Sequence, residues 1–378
     1  MKIIIAPDSY KGCMRSSDIC DKLEVGIHQV LPQAEIIKMP MADGGEGTVE
    51  AIVLSTGGSF KHLKVTGPLG QPVEAVYGIS GDGQKAVLEM AAASGIELLA
   101  LEQLNPLKAT TYGTGELLRA ILKSGIRDIT IGIGGSATVD GGVGMAQAVG
   151  YKFLDADGIP LPDKIGGGTL DQVRAIDATQ VIPELKAARI RIASDVTNPL
   201  LGSNGAARVF GPQKGATPQI VDTLETSLKS YSDVIIKAGF AQNCSQPGDG
   251  AAGGLGFGLR SLCHAESVSG AGLVIELTEL QKQLSDADLL ITGEGCTDSQ
   301  TADGKLCAVI ALAAKQADVP AILVSGALKG DLSGLDGMFA AMLSTTALPC
   351  KLETALRQTP DNLIRQGQNI ASLITALR

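Results

Sequence analysis

Residues 286–305 combine an apolar run with a dense set of polar side chains that could do chemistry. The run ends in Gly-Glu-Gly, and Glu294 and Asp298 then lie four positions apart. An amide, a hydroxyl and an ammonium group follow, from Gln300, Thr301 and Lys305. In open α/β sheets, ligands bind at the carboxyl ends of the strands. A buried strand that ends in glycines and acids therefore predicts a functional edge of a sheet rather than a plain turn.

Similar clusters of glycine and polar residues recur along the chain, most of them where predicted strands end. The five clusters lie at residues 8–12, 43–48, 134–142, 194–198 and 293–305. A single cluster is weak evidence for a ligand site, because a tight turn also needs glycine. Their number in one chain favours a ligand site built from several of them.

The third cluster belongs to a glycine-rich stretch, residues 131–144, that is predicted to link a strand to a helix. Glycines let backbone N–H groups approach phosphate oxygens, and helix N-termini favour anions. The dinucleotide pattern G-x-G-x-x-G fails because Ala137 takes the last glycine position, and no Walker A sequence G-K-S/T follows. A tight turn capped by Asp140 is the alternative. The residues expected to bind a phosphate or carboxylate group are Gly134, Gly135 and Ser136.

Two further glycine-rich segments, residues 203–215 and 245–258, are predicted to be loops in large part. In the first, Lys214 is well placed to meet a phosphate as a mobile point charge, with a solvated surface lysine as the alternative. In the second, Gly253 and Gly254 could let the backbone approach a phosphate. Helix packing explains these two glycines almost as well.

The ionisable residues favour phosphoryl transfer. The chain has 40 Asp and Glu residues and only 3 His, which suits Mg²⁺ better than Zn²⁺. The histidines are scattered, so a Ser–His or Cys–His hydrolase is disfavoured. Phosphoryl transfer depends on positioning, metal ions and charge neutralisation more than on covalent chemistry. Carboxylates, lysines and glycine loops are the groups that this reaction needs.

Composition narrows the class of protein. A length of 378 residues predicts about two domains, and 44% hydrophobic with 19% charged residues is globular rather than disordered. With 48 glycines and only 3% aromatic residues, the chain fits a parallel sheet with tight turns. Few aromatic rings and a net charge of −9 argue against nucleic-acid binding. The seven cysteines include no C-x-x-C pair, and no signal or membrane segment is evident, so we expect a cytoplasmic protein.

Hydrophobic periodicity predicts the elements that must position the clusters. The predicted strands are 3–5, 34–39, 61–66, 73–79, 86–90, 129–133, 190–193, 288–292, 321–325 and 339–344. The predicted helices include one closed by Pro32, one from 48 to about 55, one stopped by Gly125, and those at 305–317 and 361–377. Thr359 is the expected N-cap of the last helix, with Pro360 in its first turn. We therefore expect an α/β fold with a parallel open sheet from residues 1–60 and 286–378, and a mixed α/β insertion at 61–285.

At this point the motifs resemble a known family over nearly the full length of the chain. The matching segments are PDSYKG at 7–12, PMADGGEGT at 40–48, GGSAT at 134–138, SDVTNPL at 194–200, FGPQKGA at 210–216, and GEG with Asp298, Gln300, Thr301 and Gly304-Lys305 at 293–305. They resemble the bacterial glycerate kinases that make 2-phosphoglycerate. The resemblance implies ATP-dependent phosphorylation of D-glycerate with Mg²⁺. It also implies a flavodoxin-like domain that carries an inserted, restriction-endonuclease-like domain.

Roles for individual residues are our interpretation in the light of this resemblance. The predicted catalytic residues are Asp195, Asp43, Lys11 and Asp8. The predicted nucleotide-binding residues are Gly134, Gly135, Ser136, Lys214, Gly253, Gly254 and Lys305. The predicted ligands of the metal, or of the nucleotide, are Glu294 and Asp298. Asp195 and Asp43 would position the metal and the acceptor, whereas Asp8 and Lys11 would face the substrate carboxylate or the transferred phosphoryl group.

The expected partners are D-glycerate and ATP, without a nucleic acid or a membrane, and a homo-oligomer is left open. Two alternatives keep the fold: a kinase of a related hydroxy acid, and a non-catalytic sensor of a nucleotide or hydroxy acid. A nicotinamide-dependent dehydrogenase is disfavoured by the broken dinucleotide pattern.

Overall fold

The computed structural model describes residues 1–377, with every side chain except that of Asp303. The strands are β1 (Lys2–Ile5), β2 (Glu35–Lys38), β3 (Ser59–Thr66), β4 (Pro72–Ile79), β5 (Lys85–Glu89), β6 (Asp128–Gly132), β7 (Lys152–Leu154), β8 (Ala175–Asp177), β9 (Arg189–Ala193), β10 (Glu266–Val268), β11 (Leu289–Thr292), β12 (Cys296–Thr297), β13 (Ala321–Ser325), β14 (Ala327–Leu328) and β15 (Ala341–Ser344). The α-helices are α1 (Ser16–His28), α2 (Thr48–Thr56), α3 (Ala91–Ser94), α4 (Tyr112–Lys123), α5 (Val143–Ala148), α6 (Ala206–Phe210), α7 (Pro218–Lys237), α8 (Ala251–Cys263), α9 (Gly270–Leu277), α10 (Leu280–Leu284), α11 (Leu306–Gln316) and α12 (Leu352–Leu377). Across the described residues, no helix is at once long and apolar enough to cross a membrane.

The fold is mixed α/β with parallel sheets, and the chain divides into two compact units. Unit 1 comprises Met1–Asp43, Glu50–Gly57 and the chain from Ala271 onward. Unit 2 comprises Gly44–Val49 and Gly58–Gly270.

Unit 1 is built on a five-stranded parallel sheet in the order β15-β13-β11-β1-β2. Ile3, Ile4 and Ile5 of β1 are fully buried, as expected for a strand that is covered on both faces. Because side chains alternate along a strand, Ile4 packs with α9, α10 and α11 in one core, while Ile3 and Ile5 pack with α1 and α12 in another. The short apolar run at the start of the sequence therefore lies in the middle of a two-sided core.

Unit 2 is built on a six-stranded mixed sheet in the order β10-β9-β6-β5-β4-β3. The strands β10, β9, β6 and β5 run parallel, whereas β4 and β3 pair antiparallel as hairpins. The predicted hairpin strands at 61–66, 73–79 and 86–90 are thereby confirmed. The apolar face of α4, with Leu117, Leu118 and Ile121, is fully buried in the core of this unit.

The start predicted for the last helix is wrong. Helix α12 begins at Leu352, and Pro360 lies inside it rather than in its first turn. A proline within a helix leaves the carbonyl four residues earlier without an N–H donor. Here that carbonyl belongs to Leu356, and the Cys13 thiol donates to it at 3.5 Å. Thr359 does not cap the helix, since its hydroxyl donates to the Ala355 carbonyl at 2.9 Å.

The two segments predicted as loops contain more helix than expected. Residues 203–215 include α6 and a 3₁₀ turn at Pro212–Lys214. Residues 245–258 include the first half of α8, whose second to fourth residues, Ala252, Gly253 and Gly254, adopt the left-handed conformation. Glycine frequency misled the prediction, because the glycines of α8, such as Gly256 and Gly258, allow close approach of other backbone segments rather than marking a loop.

Candidate active site

Carboxylates follow three neighbouring strands at one edge of the unit 1 sheet. Asp8 follows β1, Asp43 follows β2 and Glu294 follows β11. Because β1 lies between β2 and β11, the chain segments that leave these parallel strands emerge side by side. This is the edge at which open α/β sheets bind ligands.

Asp8 is the most buried of the three, with 9% of the residue exposed. Burial raises the pKa of its carboxyl to about 7, and the negative charges of Asp43 and Glu294 add to the shift. The N–H of Ser9, 2.7 Å from Oδ1, and the charge of Lys11 oppose it. A carboxylate with a pKa near neutrality can both accept and release a proton under working conditions.

Lys11 and Asp43 form an ion pair beside Asp8. The Lys11 ammonium lies 3.0 Å from Oδ2 of Asp43, and 74% of the lysine side chain is exposed. An exposed pair of this kind contributes little to stability. The ammonium is therefore accessible to an anionic substrate, as the sequence interpretation requires.

Two threonine hydroxyls hold the Glu294 carboxylate. Thr297 and Thr301 donate to Oε1 at 2.9 and 2.8 Å. Both threonines are fully buried, so these donors are fixed in place. The orientation of the carboxylate is thus set by residues of its own cluster, 293–305.

Asp298 and Lys305 lie close together, and Asp298 also caps a turn. Its Oδ1 accepts the N–H of Gln300 at 3.0 Å and caps the 3₁₀ turn Ser299–Asp303. The Lys305 ammonium lies 3.6 Å from the same oxygen. The two predicted binding residues therefore form a partly exposed ion pair at the end of this turn.

In unit 2, the glycine turn after β6 offers backbone donors. Gly134 and Gly135 are exposed, and Gly135 has φ of 70°, a conformation that other residues adopt only with strain. Within residues 1–377, no acceptor pairs with the N–H groups of Gly134, Gly135 or Ser136. Consecutive N–H groups without an internal acceptor suit an anion.

Asp140 ends this segment inside the protein. It is fully buried and accepts hydrogen bonds from the N–H and hydroxyl of Thr111, both at 2.8 Å, and from the N–H groups of Gly142 and Gly144. Burial raises the pKa of its carboxyl, and these donors oppose the shift. Asp140 therefore caps the turn, which is the structural role considered for it.

The expectation of a mobile Lys214 is wrong, and so is the alternative of a solvated one. Lys214 is only 1% exposed, and its ammonium donates to Ser136 Oγ at 2.5 Å and to the Thr138 carbonyl at 2.7 Å. Burial lowers the pKa of the Lys214 amine to about 7, while the charge of Asp140 opposes this. In the sequence, Lys214 and the glycine turn belong to separate segments, whereas the structure joins them directly.

Asp195 and the paired glycines of α8 complete the predicted set. Asp195 follows β9, is exposed, and accepts the N–H of Gly270 at 3.2 Å. Gly253 is buried, and a Cβ there would collide with the Thr138 carbonyl. Gly254 is buried in the same way against Gly141. These two glycines thus pack behind the turn that carries Ser136.

Comparison with known proteins decides the family. A sequence model described as the glycerate kinase family matches residues 3–375. The chain belongs to the glycerate kinase family. A protein of Escherichia coli K12 named glycerate 2-kinase is 45% identical over 99% of this chain and 98% of its own length. A Bacillus subtilis 168 protein named glycerate kinase is 43% identical over 99% of this chain and 98% of its own.

A solved structure supports the same assignment at the level of the fold. It is a crystal structure from Salmonella typhimurium LT2, assigned provisionally as glycerate kinase 2. It covers 100% of this chain and 98% of its own with a TM-score of 0.89 and 44% identity. The α/β fold described above is therefore the fold of this kinase family.

The residues of this glycerate kinase family member are compatible with Mg²⁺, although they form no complete metal cage. Leaving Asp303 aside, residues 1–377 contain no group of three or more His, Cys, Asp or Glu arranged to hold a metal. Mg²⁺ usually takes one or two carboxylates together with substrate phosphates. Burial is the main cause of the raised pKa of Asp8, and the nearby negative charges of Asp43 and Glu294 add to it, so a divalent cation at this edge would offset part of the shift. Hard oxygen donors and excess negative charge together fit Mg²⁺.

Sequence reasoning missed Glu89. This residue ends β5, is largely buried, and accepts the N–H of Val49 at 2.9 Å. Burial raises the pKa of its carboxyl to about 7, Glu46 adds to the shift, and the N–H groups at the start of α2 oppose it. The available signal was an acid at the end of an apolar strand, in a segment without the glycines that marked the other clusters. Glu89 thus holds the segment that contains the GGEG motif of residues 44–47.

Proposed function

We propose that this protein transfers the γ-phosphoryl group of ATP to the hydroxyl on C2 of D-glycerate, giving 2-phosphoglycerate and ADP. Full-length similarity to a glycerate 2-kinase supports the reaction and its regiochemistry. The observation that carries the proposal is the buried Asp8, which lies beside two other carboxylates and a lysine at the carboxyl edge of a parallel sheet.

In this reaction the glycerate hydroxyl oxygen attacks the γ-phosphorus, its proton passes to a carboxylate, and the bond from phosphorus to the bridging oxygen of ADP breaks. Asp8 is our candidate to accept that proton, since a pKa near 7 matches such a task. Lys11, held by Asp43, would bind the carboxylate of glycerate or the phosphoryl group. The role of Asp8 rests on its raised pKa, and that of Lys11 on the charge and exposure of its ammonium.

The remaining acids would serve Mg²⁺ and the acceptor. Glu294 and Asp298 would hold the ion, which neutralises charge on the phosphates when it is bound. Glu294 is suited to this because its carboxylate is already oriented by Thr297 and Thr301. Asp195 is exposed at the end of β9 and remains our candidate for positioning the acceptor.

The glycine turn of unit 2 would bind phosphate through backbone N–H groups. Gly134, Gly135 and Ser136 present donors that have no acceptor within residues 1–377. Gly253 and Gly254 would contribute by supporting the turn from behind, and Lys305 would add positive charge toward the nucleotide.

We further infer that unit 1 is flavodoxin-like and that the chain between about residues 61 and 285 is an insertion into it, likened to restriction endonucleases. The strand order of the unit 1 sheet, counted along the chain, is 2-1-3-4-5, which is the flavodoxin order. The mixed sheet of unit 2, which lies between β2 and β11 in sequence, is compatible with a separate origin.

The test is ATP turnover with D-glycerate, followed by phosphorus NMR of the product, which separates 2- from 3-phosphoglycerate. A panel of other small hydroxy acids distinguishes a kinase of a related acid. Stabilisation by ATP or glycerate without any ADP release would instead indicate a sensor and would contradict the proposal.

A matched pair of variants tests the role of Asp195. Asp195→Asn keeps the oxygen that accepts from Gly270, so we expect kcat to fall by about 10²-fold or more with little change in melting temperature. Asp233→Asn, which removes an exposed partner of Lys229, should leave both unchanged. Equal loss of activity and stability in Asp195→Asn would point to a structural role.

A further inference from the structure

Lys214 is the least expected feature of unit 2, because a lysine is almost never fully buried unless its charge is paired. Leaving the side chain of Asp303 aside, its ammonium makes no ion pair within residues 1–377 and instead donates to one hydroxyl and one carbonyl. Desolvating an ammonium is expensive, so a lysine retained in such a site needs a reason beyond stability.

The two acceptors of Lys214 belong to one short segment. Ser136 Oγ and the Thr138 carbonyl flank Ala137, and both lie directly after the exposed glycines of the turn. Lys214 itself comes from the 3₁₀ turn Pro212–Lys214, more than seventy positions further along the chain. The ammonium therefore links a distant part of unit 2 to the turn.

Other contacts also hold residues 135–138 in place. Ala137 donates its N–H to the Ser94 carbonyl at 3.0 Å, and Ile96 donates to the Gly135 carbonyl at 2.8 Å. The left-handed turn at the start of α8 includes Ala252, a residue that adopts this conformation only with strain, and its Gly253 packs against Thr138. Strain of this kind persists where the surroundings enforce it, often at functional sites.

The N–H groups of the turn are the part left without internal acceptors. Every contact of residues 135–138 described here uses a carbonyl, a side chain, or the N–H of Ala137. The N–H groups of Gly134, Gly135 and Ser136 have no acceptor within the described chain. Because the other groups of the turn already fix its conformation, these donors can bind an anion without the entropy loss of ordering the turn.

We propose that Lys214 is a positioning residue that acts through Ser136 and Thr138 to hold the 134–136 N–H groups in the arrangement that binds a nucleotide phosphate. It does not itself touch the phosphate, since its ammonium is buried and occupied on the inner side of the turn. The inference rests on the proposed function, in that ATP is the source of the phosphate.

A double-mutant cycle distinguishes this role from direct contact. The variants are Lys214→Met, Ser136→Ala and the double variant, with Lys237→Met as a control at an exposed lysine. We expect the dissociation constant for ATP to rise about tenfold or more in Lys214→Met and several-fold in Ser136→Ala. The double variant should lose no more than Lys214→Met alone, because both changes break one linkage. Lys237→Met should bind ATP like the wild type.

Hydrogen exchange supplies a second readout that does not depend on glycerate. The amides of residues 133–139 should exchange faster in Lys214→Met and in Ser136→Ala than in the wild type, in the absence of ligand. Ser136→Ala removes a single hydroxyl, so it keeps the test valid if Lys214→Met fails to fold.

The outcomes separate this inference from the proposed function. Additive losses in the cycle, or an unchanged affinity for ATP in Ser136→Ala with a large loss in Lys214→Met, would mean direct contact and would overturn the inference. Unchanged exchange and affinity in both single variants would also overturn it. If the wild type binds ATP but does not phosphorylate glycerate, the proposed function fails while the cycle still decides the role of Lys214.

Discussion

Asp8 carries a charge that the folded protein disfavours. Its carboxyl is buried beside Asp43 and Glu294, and its pKa of about 7 means that ionisation at pH 8 opposes folding. Groups with such strongly perturbed pKa values concentrate at functional sites. The arrangement makes sense when the ionised form is needed for proton transfer, or when a cation occupies the same edge.

Asp8→Asn should therefore raise the stability of the protein while lowering its activity. Without the buried charge, we expect the ligand-free protein at pH 8 to gain on the order of 1–4 kcal/mol of unfolding free energy, since a pKa shift of one unit corresponds to about 1.4 kcal/mol. The same change should lower kcat by about 10²-fold or more, because the proton acceptor is lost. Urea titration and steady-state assays measure the two effects.

The control for this prediction is an exposed acid of the same unit. Asp286 is exposed and pairs with the largely buried Lys2, which also donates to Gln283 Oε1 at 3.2 Å. Because Lys2 keeps that second partner, Asp286→Asn should change stability by less than about 1 kcal/mol and leave kcat unchanged. A loss of stability at pH 8 in Asp8→Asn would show instead that the fold stabilises the ionised carboxylate.

Sequence patterns predicted secondary structure best where elements are buried on two faces. The apolar runs of β1, β11 and β13 are unbroken, and the structure places these strands close to the predicted limits. The start of α12 was misjudged because proline ordinarily marks a helix beginning. Only a distant contact, the Cys13 thiol on the Leu356 carbonyl, occupies the acceptor that proline leaves free, and no local pattern could reveal it.

The candidate site likewise contains residues that the sequence could predict and residues that it could not. The acids after β1, β2 and β11 could be predicted because glycine-rich ends of apolar strands mark a sheet edge. The burial of Lys214 could not, since it depends on a contact with residues more than seventy positions away. Glu89 was missed for a related reason, because its partners at the start of α2 come from a distant segment.

Helices α1 and α12 pack at a glycine contact that explains why both tolerate glycine. A Cβ on Gly26 would collide with the Ile364 carbonyl, and one on Gly367 would meet the Leu23 carbonyl. Glycine within a helix usually weakens it by roughly 0.5–1 kcal/mol relative to alanine. Here the close approach of the two backbones outweighs that propensity.

Gly26→Ala should consequently destabilise unit 1 in spite of the higher helix propensity of alanine. We expect a loss of about 1–3 kcal/mol, the usual cost of overpacking, in urea unfolding. Val25→Ala, at the exposed neighbouring position of α1, should change stability by less than about 1 kcal/mol and serves as the control. A neutral or stabilising Gly26→Ala would mean that the helices separate without penalty.

At the scale of the whole molecule, three largely buried ionisable groups among the described residues have a pKa near 7. Burial raises the pKa of Asp8 and of Glu89 to about 7 and lowers that of Lys214 to about 7. Their ordinary values are 3.8, 4.5 and 10.5, respectively. Each group is thus harder to charge in the folded protein than in the unfolded chain.

The two acids and the lysine change the stability of the folded protein with pH in opposite directions. Between pH 4 and 7 the folded protein binds more protons at Asp8 and Glu89 than the unfolded chain does, so stability falls as pH rises. Between pH 7 and 10 the unfolded chain keeps the Lys214 proton that the folded protein has lost, so stability rises with pH. These three groups together contribute a minimum of stability near pH 7.

Variants isolate these contributions from the background of all other titrations. We expect Glu89→Gln to flatten the fall in unfolding free energy between pH 5 and 7, and Lys214→Met to flatten the rise between pH 7 and 9, each by about 1–3 kcal/mol. The measurement is urea unfolding of the ligand-free protein at pH 5, 7 and 9, with Lys237→Met as the control for the basic limb. If Lys214→Met follows the wild type from pH 7 to 9, the amine is charged in the folded protein, and the burial of Lys214 must then be offset by its partners rather than by loss of its proton.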